Sequence, residues 1–479
     1  MSGTERFVNE GDRPVRSELI RGLGLSAAVS INVANMIGTG VFLKTRVMTC
    51  NVGSPWLVMA AWVAAGLLAL AGSFSYGEVA ALLPEAGGEY AFLRRAYGRI
   101  VGFLYGWTFF GIARSASQAA LAIGFATFLN QATRHALEPT LISLGPIPIT
   151  GITVVSMVAI WTVALVNFRP VTTGGALAIG LTLIKIALVV AVAATLLLFA
   201  HGQWSHLDGA LSTAATCEQV SGSARGGVIG FGAAMVGALW AYDGWQNVAP
   251  LAGEVKNPER NLPRAFIGGM LVVGALYLVA NFAYFYALTP DQIGSTSLHS
   301  SVASDALGAT IGPAAVMVIL CILMVSSIGS LHASVLANSR IPYAMAREGL
   351  FFRALAVLSP RTNVPIRAIV AQAAWASVLA VMGNYDALTD SVVFASWLFY
   401  GLAAGSVFVF RRTMRDVPRP YHAFGYPLLP LVFLLVTTWL LVNTFIADAP
   451  RALLGAGYIA LGLPFYAWWT RKRPDTTPA

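Results

Sequence analysis

Asn35-Met36-Ile37-Gly38-Thr39-Gly40-Val41-Phe42 decides how this chain is read. The triplet Gly38-Thr39-Gly40 interrupts an apolar run that begins at Leu23 and would otherwise form one membrane-crossing helix. A second run, Val228 to Ala252, is interrupted the same way at Asp243-Gly244. A helix that breaks inside lipid leaves N–H and C=O groups without partners, at several kcal/mol each, unless the break lines a cavity or binds something. Two breaks in corresponding positions of two chain halves point to a substrate site between them.

The surrounding sequence agrees with that reading. The 479 residues are 57% hydrophobic and only 11% charged, a balance of multi-span membrane proteins. Apolar runs of about 20 residues recur along the chain, the length an α-helix needs to cross the hydrocarbon. About twelve spans are expected, with cores near 23–49, 55–83, 99–129, 148–167, 174–200, 227–253, 265–288, 311–341, 365–382, 387–410, 426–447 and 452–470. Alternating ten-residue segments of a transmembrane β-barrel are absent. The fold expected is therefore all-α. Spans 1–5 and 6–10 read as an inverted repeat, residues 23–410, with spans 11 and 12 added over 411–470.

Lys and Arg gather on one side of these spans. Arg6, Arg13, Arg16 and Arg21 precede span 1, Arg94, Arg95 and Arg99 follow span 2, and Lys256, Arg260 and Arg264 follow span 6. Arg340, Arg347, Arg411, Arg412 and the final Arg471, Lys472 and Arg473 lie on the same side. The positive-inside rule makes that side cytoplasmic, with a tail at each end (1–22 and 471–479), in the cytoplasmic (inner) membrane. The asymmetry accounts for the net charge of +9 without nucleic acid as a partner. The polar N-terminal segment does not read as a signal peptide.

The breaks carry the candidate chemistry. Gly38-Thr39-Gly40 would expose N–H groups at the positive end of a half-helix starting near Val41, a ready site for a carboxylate. The bland alternative is a small-residue helix-packing notch. In Trp240-Ala241-Tyr242-Asp243-Gly244-Trp245, freed carbonyls would accept hydrogen bonds from an amine, and Trp240 would cap the site or simply pack. Asp243 costs at least ~2.5 kcal/mol near mid-membrane, so it is paired or functional. Arg114, deep in span 3, is its candidate partner; Lys185 in span 5 is either a structural ion-pair member or a stand-in for a coupling cation. Glu78 reads as a snorkelling or capping residue and His332 as a hydrogen-bonded packing residue. The Ser- and Thr-rich segment 289–310 reads as a plain solvated loop, with a lid over the external vestibule as the alternative. Cys50, Cys217 and Cys321 show no metal-ligand spacing and read as packing residues. No HExxH, Walker A or GxSxG sequence is present, so neither a metal or other cofactor nor an enzymatic activity is expected.

These motifs together resemble the amino acid–polyamine–organocation (APC) transporter superfamily, closest to the L-type amino acid transporter branch and its bacterial relatives. The resemblance rests on Asn35 to Phe42, on Pro84-Glu85-Ala86-Gly87-Gly88-Glu89-Tyr90, on Leu239 to Arg264 and on Arg419-Pro420-Tyr421 with Gly425-Tyr426-Pro427. It implies a LeuT-type fold and α-amino-acid substrates. It implies that Thr39 and Gly40, within the Asn35–Phe42 motif together with Ile37 and Gly38, meet the substrate carboxylate, and that Met36, Trp240 and Ala241 lie near the amine or side chain. It implies further that Lys185 replaces a sodium ion and that Trp397 belongs to the pocket. Asp243, next to Gly244, departs from animal members, which usually carry glycine there. Loop 130–147 lacks the cysteine by which animal members bind an accessory subunit, so no disulfide-linked partner is expected. The expected activity is sodium-independent exchange or facilitated transport of neutral L-amino acids by alternating access. The rivals are a proton-coupled permease for cationic amino acids or polyamines, and an amino-acid-sensing receptor.

Overall fold

The computed structural model describes residues 19–145, 147–297, 300–312, 314–382, 385–447 and 449–471. Most of both tails, with Arg6, Arg13, Arg16, Lys472 and Arg473, lies outside them.

The first span is two helices, α1 (Leu25–Met36) and α2 (Gly40–Val52), meeting at 44°. α3 (Pro55–Leu82) and the short α4 (Glu89–Tyr97) follow. The third span runs as α5 (Arg99–Thr108), a π-helical turn (Phe109–Ala113) and α6 (Arg114–Ala132). A hairpin of β1 (Thr140–Leu144) and β2 (Ile147–Thr150) leads into α7 (Gly151–Val166) and α8 (Val171–Phe199). α9 (Gly227–Ala241) stops at the second break, and α10 (Pro258–Ala287) resumes beyond it. The remainder is α11 (Pro290–Gly294), α12 (Val302–Ile311), α13 (Ala314–Asn338), α14 (Arg340–Arg347), α15 (Ile366–Met382), α16 (Tyr385–Thr413), α17 (Leu428–Ala447) and α18 (Ala449–Arg471).

Among the described residues, five helical stretches are each long and apolar enough to cross a membrane, and the bent α1–α2 pair makes a sixth. Shorter apolar helices, α7, α9, α12, α15 and α17 among them, accompany these. Exposed side chains on α8 are Leu183, Ile184, Val190, Leu198 and Phe199, an apolar exterior that suits lipid and not water. The interior instead holds Asn32, Gln118, Lys185, Arg340 and Glu254, each hydrogen-bonded to protein. The chain is thus a multi-span helical membrane protein. Its three most extensive helix pairings join α3 to α10, α6 to α13 and α2 to α9.

Several expectations need correction. The loop 130–147 closes with a β-hairpin, a small departure from an all-α fold. The segment 289–310 is not a plain solvated loop: it folds into α11 and α12, and Ile293, Val302, Ala306 and Leu307 are buried. The turn chemistry was there in Thr289-Pro290-Asp291-Gln292, which forms a capping box. Glu78 does not snorkel. It is 2% exposed, bonds Arg411 and Arg419, and accepts the Ala423 N–H at 2.7 Å. Cys50 and Cys217 are not separate packing residues but a disulfide that spans 167 positions of sequence. It ties the end of α2 to the segment between α8 and α9, where Arg46 also donates to the Glu218 carbonyl.

Candidate functional site

The two breaks meet. A Cβ built on Gly40 would lie 2.6 Å from the Ala241 Cβ, so only glycine lets α2 start this close to the end of α9. Gly244 has φ +105 and faces Asn35 across the same contact; a side chain there would be strained and crowded. After Ala241 the chain does not restart as an α-helix: turns run to Val248 and a 3-10 segment to Glu254.

The broken backbone finds partners around α1. Lys185 Nζ donates to the carbonyls of Ala34 (2.7 Å) and Ile37 (2.8 Å) and to Ser330 Oγ. Ser326 also donates to Ile37 O, and Ser330 to Ala34 O. Tyr277 Oη donates to both Met36 O and Ala241 O, linking the two breaks. The end of α1 thus has its carbonyls satisfied by side chains of α8, α10 and α13. Lys185 is 1% exposed and meets no carboxylate in these bonds; its ammonium is held by carbonyl and hydroxyl oxygens, the kind of ligand set that also holds a hard metal cation.

A cavity opens where the breaks meet. Of the residues singled out in the sequence, Met36, Gly38, Thr39, Gly40, Arg114, Trp240, Ala241, Asp243, Gly244 and Trp397 line it. Ile37 does not; its side chain is buried in the core and its carbonyl serves Lys185. Lys185 stands behind α1, off the cavity. The N-terminal turn of α2 begins at Gly40 on the cavity wall, and a helix leaves its first N–H groups without intrahelical partners. The Lys44 ammonium sits 4.5 Å from the centre of the Trp240 ring.

The charged side chains form one network. Arg114 directly follows the π-helical turn Phe109–Ala113, a feature frequent at functional sites. Arg114 Nη1 lies 3.7 Å from Asp243 Oδ2. The Tyr400 hydroxyl bridges them, accepting from Arg114 at 2.9 Å and donating to Asp243 at 2.8 Å. Gln246 donates to the same hydroxyl. Arg114 is buried, whereas the Asp243 side chain is 28% exposed and reaches the cavity.

Sequence reading missed Asn35, Ser117, Ala120, Leu121, Asn247 and Ser396, which also line the cavity, and the bridging residues Tyr400, Gln246, Tyr277, Ser326 and Ser330. Among the described residues, Asn247 Oδ1 and Ser396 Oγ are buried without a hydrogen-bond partner. A signal existed for some. Ser326 and Ser330 stand four apart on one face of span 8, and Gln246 and Asn247 follow the second break directly. His332 does what was expected of it, bonding Asn167 and the Gly174 carbonyl.

Residues 23–461 match the family model described as amino acid permease. The chain belongs to this family. The permease is 31% identical over 454 residues to the serine/threonine exchanger SteT of Bacillus subtilis (strain 168), covering 94% of this chain and 97% of that protein. It is 27% identical over 459 residues to the human b(0,+)-type amino acid transporter 1, covering 95% and 89%. It is 25% identical over 467 residues to the mouse large neutral amino acids transporter small subunit 2, covering 94% and 82%. These relatives are transporters, not enzymes, and the resemblance to the APC superfamily stands.

Proposed function

We propose that this permease is a sodium-independent secondary transporter of L-amino acids, working by alternating access across the cytoplasmic membrane. The meeting of two helix breaks at one cavity carries this reading. It gives a helix N-terminus for a carboxylate and an unwound segment with carbonyls and Asp243 for an amine, side by side. Thr39 and Gly40 would hold the carboxylate; Met36, Trp240, Ala241, Gly244 and Trp397 would enclose the rest. Lys185 would act as a built-in cation beneath α1 and remove the need for sodium. Exchange is favoured over facilitated diffusion by the 31% identity to an exchanger, and a neutral substrate by that protein's serine and threonine.

A twelve-span LeuT-type arrangement, with an inverted repeat over 23–410 and two further spans over 411–470, is supported by which helices pair. The partners α3 with α10, α6 with α13 and α2 with α9 are those a two-fold axis between spans 1–5 and 6–10 would bring together. Cytoplasmic termini are supported by the arginines and, independently, by the Cys50–Cys217 disulfide at the opposite end, since disulfides persist in oxidising compartments. A cationic substrate is the second reading, favoured by the Asp243 carboxylate on the cavity wall. Uptake of labelled amino acids into proteoliposomes, with choline in place of sodium, with and without internal substrate, tests the proposal.

A further inference from the structure

α2 leaves the cavity at Gly40 and runs toward the end that carries the Cys50–Cys217 disulfide, while α9 returns from that end to the cavity. The two helices lie antiparallel and in contact along their length. Gly40 faces Ala241, a Cβ on Gly237 would lie 3.5 Å from Met48 Cγ, and Gly230 lies against the Asn51 carbonyl. Gly40 and Lys44 are four residues apart, so they share one face of α2, about one turn from each other. The Trp240 ring of α9 covers both. A Cβ on Gly40 would lie 3.4 Å from its Cζ3, and the Lys44 ammonium stands over the ring, 4.5 Å from its centre.

Trp240 lines the cavity, and its ring reaches outward along α2 by that turn. It therefore closes the cavity on the side where α2 and α9 lead away from it. Gly40 offers the ring a flat surface and nothing directional. Lys44 offers a charge over the ring face, the cation–π arrangement, which is an attraction with a preferred geometry. Both side chains are half-buried, so the ring has room to swing away when that contact is released. Lys44 sits on one of the half-helices that end at the site and Trp240 on the other, and their contact crosses from one to the other.

We propose that Lys44 is a positioning residue for substrate binding: its ammonium latches the Trp240 ring over the outward side of the cavity and so sets how long a bound amino acid stays. Lys44 is not among the cavity-lining residues, and it acts on the substrate through Trp240. A cation–π contact of this kind is worth a factor of about two to thirty in an equilibrium, the lower part of that range applying to half-exposed pairs. This rests on the transporter reading above and adds to it a residue outside the cavity that controls substrate affinity.

The test measures KM and kcat for labelled L-serine entering serine-loaded proteoliposomes that carry wild-type, Lys44→Met, Lys44→Arg, Trp240→Leu or doubly substituted (Lys44→Met with Trp240→Leu) protein. Met keeps the apolar reach of the side chain without its charge, and Arg keeps a charge that stacks on aromatic faces. Lys44→Met should raise KM about fivefold and leave kcat unchanged or higher, and Lys44→Arg should stay within about twofold of the wild type. With Leu at position 240, Lys44→Met should change KM no further, because the latch has lost its ring. A merely structural Lys44 would lower kcat and the melting temperature, with or without the ring. A KM for Lys44→Met within twofold of the wild type, or the same rise in KM with Leu at position 240, overturns the proposal. If Lys44→Met does not fold, Lys44→Gln takes its place; if Trp240→Leu has no measurable KM, Trp240→Phe does, and the effect of Lys44→Met should shrink there. Uptake of no amino acid by the wild type would refute the transporter reading itself, and the same cycle, read as the Kd of serine for detergent-solubilised protein, then decides the latch.

Discussion

Gly40 and Ala241 touch across the two helix breaks, leaving 2.6 Å for any Cβ placed on residue 40. Gly40→Ala must therefore push α2 and the end of α9 apart. Overpacking of this kind costs about 1–3 kcal/mol, and the site between the breaks is distorted as well. A lowered melting temperature together with lost uptake is expected. Gly38→Ala provides the contrast: the nearest atom to its new Cβ is Met36 O at 3.9 Å, so its melting temperature should stay near that of the wild type.

Lys185→Ala removes the donor shared by the Ala34 and Ile37 carbonyls. Each buried acceptor left unpaired costs about 1–3 kcal/mol, though Ser330 and Ser326 still serve one carbonyl each. Folded variant protein should be recoverable, and its uptake should be lost because α1 no longer ends in one defined position. Near wild-type uptake by Lys185→Ala would rule out the cation role.

Asp243→Asn separates pairing from substrate contact. A buried pair broken on one side costs roughly 3–5 kcal/mol, but Asp243 is partly open to the cavity and the loss should be smaller. Asn keeps an acceptor for the Tyr400 hydroxyl and leaves Arg114 without its counter-charge. A lower melting temperature with unchanged preference among neutral amino acids is expected. Unchanged melting with an altered preference between serine and lysine would make Asp243 a substrate ligand first.

The disulfide predicts a thiol count. Denatured, unreduced protein should titrate as one thiol, that of Cys321, and as three after reduction. Three thiols before reduction would contradict the pairing.

What the sequence displayed and what it hid divide along one physical line. The breaks at Gly38-Thr39-Gly40 and Asp243-Gly244 were legible because a polar or glycine-rich interruption of an apolar run is costly in lipid and has few explanations. Lys185, Arg114 and Asp243 were conspicuous for the same reason, and Arg114, the candidate partner of Asp243, lies beside it. The long-range pairings were not legible. Cys50 finds Cys217, Glu78 finds Arg411 and Arg419, and Arg340 finds Glu254 across stretches of sequence that carry no local pattern. Ser117, Asn247 and Ser396 are ordinary residues whose position on the cavity follows only from how helices far apart in sequence come together. The unwinding after Ala241 was signalled by Gly244, but its continuation to Glu254 was not, because Val248 to Ala252 reads as helix by composition.

The most direct test of the whole account is counterflow. Proteoliposomes loaded with unlabelled L-serine, in choline buffer without sodium, should accumulate external labelled L-serine faster than empty ones. The roles given to Arg114, Trp240 and the Gly40 backbone stand only if this holds. Binding of serine to the detergent-solubilised protein with no uptake in either kind of vesicle would contradict transport and favour a sensor, and uptake that appears only when sodium is restored would contradict the role given to Lys185.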